Sequence, residues 1–257
     1  MVANAKTEEN YKRVDSILVS QPKPTRSPYF ELEEKFGIKI DFRQFIHVEP
    51  VPEKEFRKNR IRPDEFDCVV FTSLNSIEHF FRMCEEMRLK MSQETKYFCL
   101  TEAIANYLQK FILYRKRKVF FGKRVMQDMH NALMKHRKGN RFIVPCSNLG
   151  SIPVVNYLKE KKFDFQEAMM YQTVSSDLSD LSDITYDVLV FFSPLGIKSL
   201  YENFPDFKQN ETRIAVFGKS TKKAVEDKGL KINIQAPTKE FPSMTMALKN
   251  YLNMSNK

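Results

Sequence analysis

The sequence predicts an α/β fold made of two similar units, each a parallel sheet covered by helices on both faces. Three observations carry this. Short apolar runs rich in Val, Ile and Phe alternate with stretches of helical period, and strands buried on both faces read as continuous apolar runs of this kind. The heptapeptide Asp67-Cys68-Val69-Val70-Phe71-Thr72-Ser73 aligns without gaps on Asp187-Val188-Leu189-Val190-Phe191-Phe192-Ser193. The register persists beyond it, Ile77 meeting Ile197 and Phe81 meeting Tyr201, and Leu18-Val19 pairs likewise with Ile143-Val144; such self-similarity marks a repeated supersecondary unit. Finally, 257 residues with 42% hydrophobic and 29% charged content suffice for two cored domains of about 100–150 residues.

The elements follow in order. Ile17 to Ser20 reads as the first strand. A helix runs from about Arg26 to Phe36, and Gly37 ends it because glycine enters the left-handed conformation without a Cβ penalty. Ile38 to Val48 reads as a strand, and a charged, proline-bounded stretch from Pro50 to Pro63 follows. Asp67–Ser73 is a strand, followed by an amphipathic helix from Asn75 to Arg88 with Ile77, Phe80, Phe81, Cys84 and Met87 on one face. Tyr97–Leu100, Val119–Phe121, Phe142–Pro145, Asp187–Ser193 and Ile214–Gly218 continue the strands. On the repeat alone, the cut between units falls near Lys138–Asn140.

Composition narrows the class. No apolar run approaches the roughly 20 residues that cross a bilayer, and the polar start, Met1 to Lys12, lacks the apolar core of a secretory signal. Cys68, Cys84, Cys99 and Cys146 are widely spaced and form no CxxC, so they read as reduced thiols of a cytoplasmic protein. The formal net charge of +10 suits an anionic partner.

Small hydroxyl or amide residues close the predicted strands: Ser20-Gln21, Thr72-Ser73, Thr101, Ser147-Asn148, Ser193 and Ser220-Thr221. In open α/β sheets the ligand crevice lies beyond the carboxyl ends of the strands. Helix N-termini there present unpaired N–H groups and a positive dipole end to carboxylate or phosphate oxygens. Each Ser or Thr also has a plainer use, capping its own helix, worth about 1 kcal/mol.

Several chemistries lack their motifs. Gly218-Lys219-Ser220-Thr221 resembles the tail of a phosphate-binding loop, but Arg213 stands where the first glycine belongs. There is no GxGxxG and no GxSxG, and His47, His79, His130 and His136 form no ligand-spaced set. The most basic stretch, Lys110 to Lys123, interleaves cations with Phe111, Tyr114, Phe120 and Phe121. It reads either as a phosphate-backbone grip or as a solvated loop leading into a buried strand.

Four passages together resemble the uroporphyrinogen-III synthase family: Ile17-Leu18-Val19-Ser20-Gln21-Pro22; Val70-Phe71-Thr72-Ser73 with Ile77; Pro145-Cys146-Ser147-Asn148-Leu149, Tyr157-Leu158 and Met170-Tyr171-Gln172-Thr173-Val174; and Phe191-Phe192-Ser193-Pro194-Leu195-Gly196-Ile197. The resemblance spans about Ile17 to Leu252 and rests on the order and spacing of the motifs. It departs at Gly218–Thr221, where Lys219 replaces the family's proline, at Leu100-Thr101-Glu102-Ala103, which lacks a glycine, and at Gln21, where arginine is common.

The resemblance implies two flavodoxin-like α/β domains joined by a two-stranded connector, with a cleft between them. One would be discontinuous, residues 1–44 plus 175–257, the other residues 52–169, with 45–51 and 170–174 as connecting strands. It implies a cofactor-free lyase that closes hydroxymethylbilane, a linear tetrapyrrole polyacid, to uroporphyrinogen III with loss of water and inversion of the last ring. Tyr171 would donate or position the proton for the departing hydroxyl. Ser20, Thr72, Ser73, Thr101, Ser147, Asn148, Ser193, Pro194, Gly196, Lys219, Ser220 and Thr221 would hold substrate. No metal, nucleic acid or membrane partner is expected, and the family analogy gives a monomer. The altered turns leave a second reading, a non-catalytic paralogue that binds an acidic ligand; a nucleic-acid-binding protein is the third.

Overall fold

The computed structural model describes residues 11–182 and 184–257; the polar start of the chain lies, but for Tyr11 and Lys12, outside the described residues. In chain order the strands and helices are β1 (Ser16–Val19), α1 (Pro28–Phe36), β2 (Lys39–Phe42), β3 (Ile46–Pro50), α2 (Glu53–Phe56), β4 (Cys68–Phe71), α3 (Leu74–Glu86), β5 (Lys96–Cys99), α4 (Glu102–Leu108) and β6 (Val119–Phe121). They continue with α5 (His130–His136), β7 (Phe142–Ser147), α6 (Ile152–Glu160), β8 (Phe165–Ser175), β9 (Val188–Phe191), α7 (Pro194–Asn203), β10 (Arg213–Phe217), α8 (Lys219–Glu226), β11 (Ile232–Ala236) and α9 (Met244–Ser255).

The chain divides into two compact units, the first formed by the stretch up to His47 together with Ser175–Lys257 and the second by Val48–Val174. The cut near Lys138–Asn140 suggested by the repeat is therefore wrong. Asn140 belongs to the turn entering β7, its Nδ2 donating to the His136 carbonyl at 2.9 Å, and β7 is an interior strand of the second unit's sheet.

The first unit's sheet has the order β11-β10-β9-β1-β2, with every neighbouring pair parallel. The second unit's has the order β3-β8-β7-β4-β5-β6, parallel from β8 to β6. The expected parallel α/β architecture is what forms. Alternation along the strands feeds two cores in each unit. Val69 and Phe71 of β4 join the side chains of α3 and α4, whereas Cys68 and Val70 join those of α5 and α6. In β9, Val188 and Val190 pack with α1 and α9, whereas Leu189 and Phe191 pack with α7 and α8.

Laid side by side, the two sheets match strand for strand: β2-β1-β9-β10-β11 corresponds to β8-β7-β4-β5-β6. The chain enters them at different places, so the first unit starts on the strand equivalent to the fourth, in chain order, of the five matched strands of the second. The repeated aspartates do equivalent work. Asp187 Oδ2 accepts from the Asp15 and Ser16 amides, at 2.8 and 2.9 Å, where β1 begins. Asp67 Oδ2 accepts from the Arg141 amide at 2.8 Å, where β7 begins.

Element ends follow local chemistry. Ser27 accepts from the Tyr29 amide, Pro28 opens α1 and Gly37 closes it at φ 61°. The single strand expected over 38–48 is broken into β2 and β3, because Phe45 turns out of the ladder and buries against Phe191, ring centroids 5.6 Å apart. The charged, proline-bounded stretch over 50–63 contains the short helix α2, anchored by the fully buried Phe56. Flanking β3, the Val51 amide donates to the Met170 carbonyl at 3.1 Å and the Ser176 amide to that of Phe45 at 2.9 Å. Among the described residues no helix is long and apolar enough to cross a membrane.

Candidate functional site

Setting aside the edge strand β3, each sheet has one junction from which successive strands run outward in opposite directions, between β1 and β9 in the first unit and between β4 and β7 in the second. Crevices for ligands open at such switch points, beyond the carboxyl ends of the strands. The residues singled out in the sequence collect there. Ser20 and Ser193 follow β1 and β9, and Thr72-Ser73 and Ser147-Asn148 follow or end β4 and β7. Thr101 and Lys219-Ser220-Thr221 follow β5 and β10, the next strands outward.

In the second unit, Ser73 is the N-cap of α3. Its Oγ accepts from the Ser76 amide at 3.1 Å, while Ser76 Oγ donates to the Ser73 carbonyl at 2.6 Å. The same Ser73 oxygen lies 3.2 Å from the Tyr171 hydroxyl. Thr72 Oγ1 is 3.4 Å from Ser151 Oγ, at the start of α6. Thr101 caps α4, accepting from the Ile104 amide at 3.4 Å. Ser147 Oγ accepts from the Leu149 amide at 3.2 Å. Asn148 is already committed: its side chain accepts from the Thr173 amide at 2.9 Å and donates to the Thr173 carbonyl at 3.2 Å, tying the loop after β7 to β8.

Capping and ligand binding are thus not exclusive for the serines and threonines. A cap uses an oxygen lone pair and leaves the hydroxyl proton to donate elsewhere.

Tyr171 is buried, and its ring stacks on His79 with centroids 4.8 Å apart and planes 16° from parallel. Burial pushes its phenol above the ordinary range, against a smaller opposing pull from the Ser73 hydrogen bond. The group is therefore a neutral hydrogen-bonding hydroxyl near pH 7. Burial, reinforced by Arg82, pushes the His79 imidazole down, favouring its neutral form. Arg82 in turn donates to the carbonyls of Val51 at 2.9 Å and Met170 at 3.0 Å, fixing the backbone just before Tyr171. His79 and Arg82 escaped the sequence reading. Six and nine residues along α3 from Ser73, they fall on the other side of the helix from it, so spacing gave no signal for either.

In the first unit, Ser193 caps α7, its Oγ accepting from the Gly196 amide at 3.3 Å, and Pro194 opens the helix. Gly196 is there because a Cβ would meet the Phe191 ring at 3.2 Å, while also lying 3.7 Å from Ser20 Oγ and 3.9 Å from Ser193 Oγ. The two hydroxyls therefore flank the same small residue. The α8 N-terminus differs: Gly218, at φ 88°, has no side chain to cap the first-turn amides. Lys219 and Ser220 are exposed beside them, but Thr221 is fully buried and its hydroxyl has no partner.

The basic stretch is partly spoken for. Lys118 is buried, its Nζ 2.6 Å from the Gln93 carbonyl and 2.6 Å from Glu94 Oε1, and Lys110 lies over the Tyr107 ring at 4.4 Å. All four cysteines are buried free thiols. Among the described residues no three of His, Cys, Asp or Glu gather as metal ligands would.

Comparison with known proteins adds three findings. The family described as uroporphyrinogen-III synthase HemD matches residues 28–246. A uroporphyrinogen-III synthase from Chlorobaculum parvum is 24% identical over 252 residues, covering 92% of this chain and 99% of that protein. Two solved structures share the fold at 16% identity, each covering 93% of this chain and 99% of its own. They are a uroporphyrinogen-III synthetase from Helicobacter pylori, TM-score 0.58, and a mutant uroporphyrinogen III synthase from Thermus thermophilus, TM-score 0.54.

Proposed function

The chain belongs to the uroporphyrinogen-III synthase family, and from that membership we propose that it closes hydroxymethylbilane to uroporphyrinogen III, losing water and inverting the last ring. The observation that carries this reading is the family match over residues 28–246. The site chemistry agrees with it. A polycarboxylate substrate needs many separate donors of modest strength. Hydroxyl-capped helix starts at two switch points, together with the uncapped α8 terminus beside Lys219, supply them.

In this reading Ser20, Ser193 and the backbone around Pro194 and Gly196 hold carboxylates on the first unit, with Lys219, Ser220 and the α8 amides beside them. Thr221 is buried and supports that turn from beneath. On the second unit Thr72, Ser73, Thr101 and Ser147 donate, and Asn148 shapes the loop through Thr173. Holding the chain bent is the larger part of the task, since orientation alone can supply several kcal/mol of barrier lowering.

Tyr171 acts through Ser73. Its buried hydroxyl fixes where the serine proton points, and the serine then meets the departing hydroxyl. Supplying hydroxymethylbilane and separating the oxidised products tests the proposal. The expected result is isomer III in excess over the spontaneous isomer I; isomer I alone, at the rate without protein, overturns it.

A further inference from the structure

We propose that the second unit carries a separate binding site for an amphipathic carboxylate, a small molecule with an extended apolar body and one anionic head. It lies at the amino ends of β5 and β6, the opposite edge of the parallel sheet from Thr72, Ser73, Thr101 and Ser147. The cavity there measures about 690 Å³, within the range of pockets that enclose small organic ligands. It is formed by the loop between α3 and β5 and the loop leading into β6.

The two ends of this cavity differ in chemistry. Phe81 and Phe111 stack in parallel, centroids 5.0 Å apart, and with Leu89, Met91, Tyr97 and Ile112 they make an apolar slot. Leu113, 78% exposed, is the most exposed large hydrophobic side chain among the described residues and forms a lip on it. The other end is polar and turns about Gln93. Arg115 donates to Gln93 Oε1 at 3.1 Å, and Lys118 Nζ to the Gln93 carbonyl at 2.6 Å.

Thr95 lines the same cavity, is 3% exposed, and its hydroxyl has no hydrogen-bond partner. A buried hydroxyl left unpaired is unfavourable unless something completes it, and a ligand oxygen would do so. The sign of the ligand follows from charge. Arg88, Lys90, Arg115 and Lys118 line the cavity against Glu85 alone, with Glu94 adjacent on Lys118. An apolar slot ending in a donor hydroxyl and guanidinium selects a carboxylate head on an apolar body.

Calorimetric titration of the full chain with decanoate, and separately with decanol, tests this. One equivalent of decanoate is expected to bind, with decanol at least tenfold weaker. Arg115→Gln should weaken decanoate about tenfold and leave decanol unchanged, and Thr95→Val should weaken decanoate several-fold. Ile112→Trp, which fills the slot, should abolish binding of both, with its thermal transition confirming that it folds. Ser73→Ala and Ser193→Ala should leave decanoate affinity unchanged. Absence of saturable decanoate binding, equal affinity for decanol, insensitivity to Arg115→Gln, or loss of binding in the two serine variants would each overturn the proposal.

Discussion

Replacing Tyr171 by Phe removes one atom, the hydroxyl 3.2 Å from Ser73 Oγ. The ring stays stacked on His79 and packed in its core, and Ser73 keeps the Ser76 amide that makes it a cap. What is lost is one neutral hydrogen bond, worth about 0.5–1.5 kcal/mol. For a chain of this size that lowers the melting temperature by no more than about 6 °C. The effect on turnover should be larger in proportion. If the phenol fixes the direction of the Ser73 proton, its loss costs about tenfold in kcat, or about 1.4 kcal/mol of transition-state stabilisation. KM should hardly move, because the carboxylate contacts are untouched. The assay follows isomer III formation and adds Ser73→Ala and the double variant. Acting through Ser73 means that the double variant is no slower than Ser73→Ala alone. Wild-type turnover in Tyr171→Phe, or losses that simply multiply, would refute the reasoning.

Other outcomes follow from the same geometry. Gly196→Ala gains about 1 kcal/mol of helix propensity but sets a methyl 3.2 Å from Phe191 and between Ser20 and Ser193; KM should rise while the urea midpoint changes little. Asp187→Ala leaves the Asp15 and Ser16 amides without an acceptor and should cost about 2–3 kcal/mol in urea unfolding. Asp67→Ala leaves the Arg141 amide and should cost roughly half that. Burial holds the imidazoles of His79 and His136 below their ordinary value of 6.5. Their contribution is complete above that pH and is lost as pH falls below it, so the urea midpoint should drop from pH 7.5 to 5.5, less steeply in His136→Gln. Burial raises the thiols of Cys68, Cys84 and Cys99 to about 12 and that of Cys146 to about 11; iodoacetamide at pH 8 should label none of them until the chain is unfolded.

Much of the architecture was legible because buried parallel strands leave an unmixed signature. Val-Val-Phe after Cys68 and Leu-Val-Phe after Val188 admit few other readings, and they became β4 and β9. What the repeat could not reveal was how the chain is threaded. Similarity between Asp67–Ser73 and Asp187–Ser193 says that two strands occupy like places. It does not say that one lies in a continuous unit and the other in an interrupted one, which misplaced the cut at Lys138–Asn140. The apolar pattern by itself also hid the break at Phe45, since an apolar residue reads the same whether it continues a ladder or leaves it for the core.

Strand-end hydroxyls could be listed from sequence because each helix start needs a cap. Which of them adjoin depended on strand order, a non-local property. His79 and Arg82 were invisible as site residues: one acts by stacking and the other by gripping main-chain carbonyls, and neither act has a sequence motif.

The interrupted unit has a consequence for biosynthesis. β1 pairs with β2 on one side but with β9 on the other, Ile17 opposite Val188. A ribosome delivers the first strand pair and then, at about 5–20 residues per second, needs roughly 7–30 s to deliver its missing neighbour. Throughout that interval the nascent segment holds an apolar strand with one naked edge, the kind of surface that recruits other chains. The contiguous unit has meanwhile emerged whole and can condense first. β1 is therefore made long before it is satisfied, and chaperone holdases should meet this protein at β1 and β2.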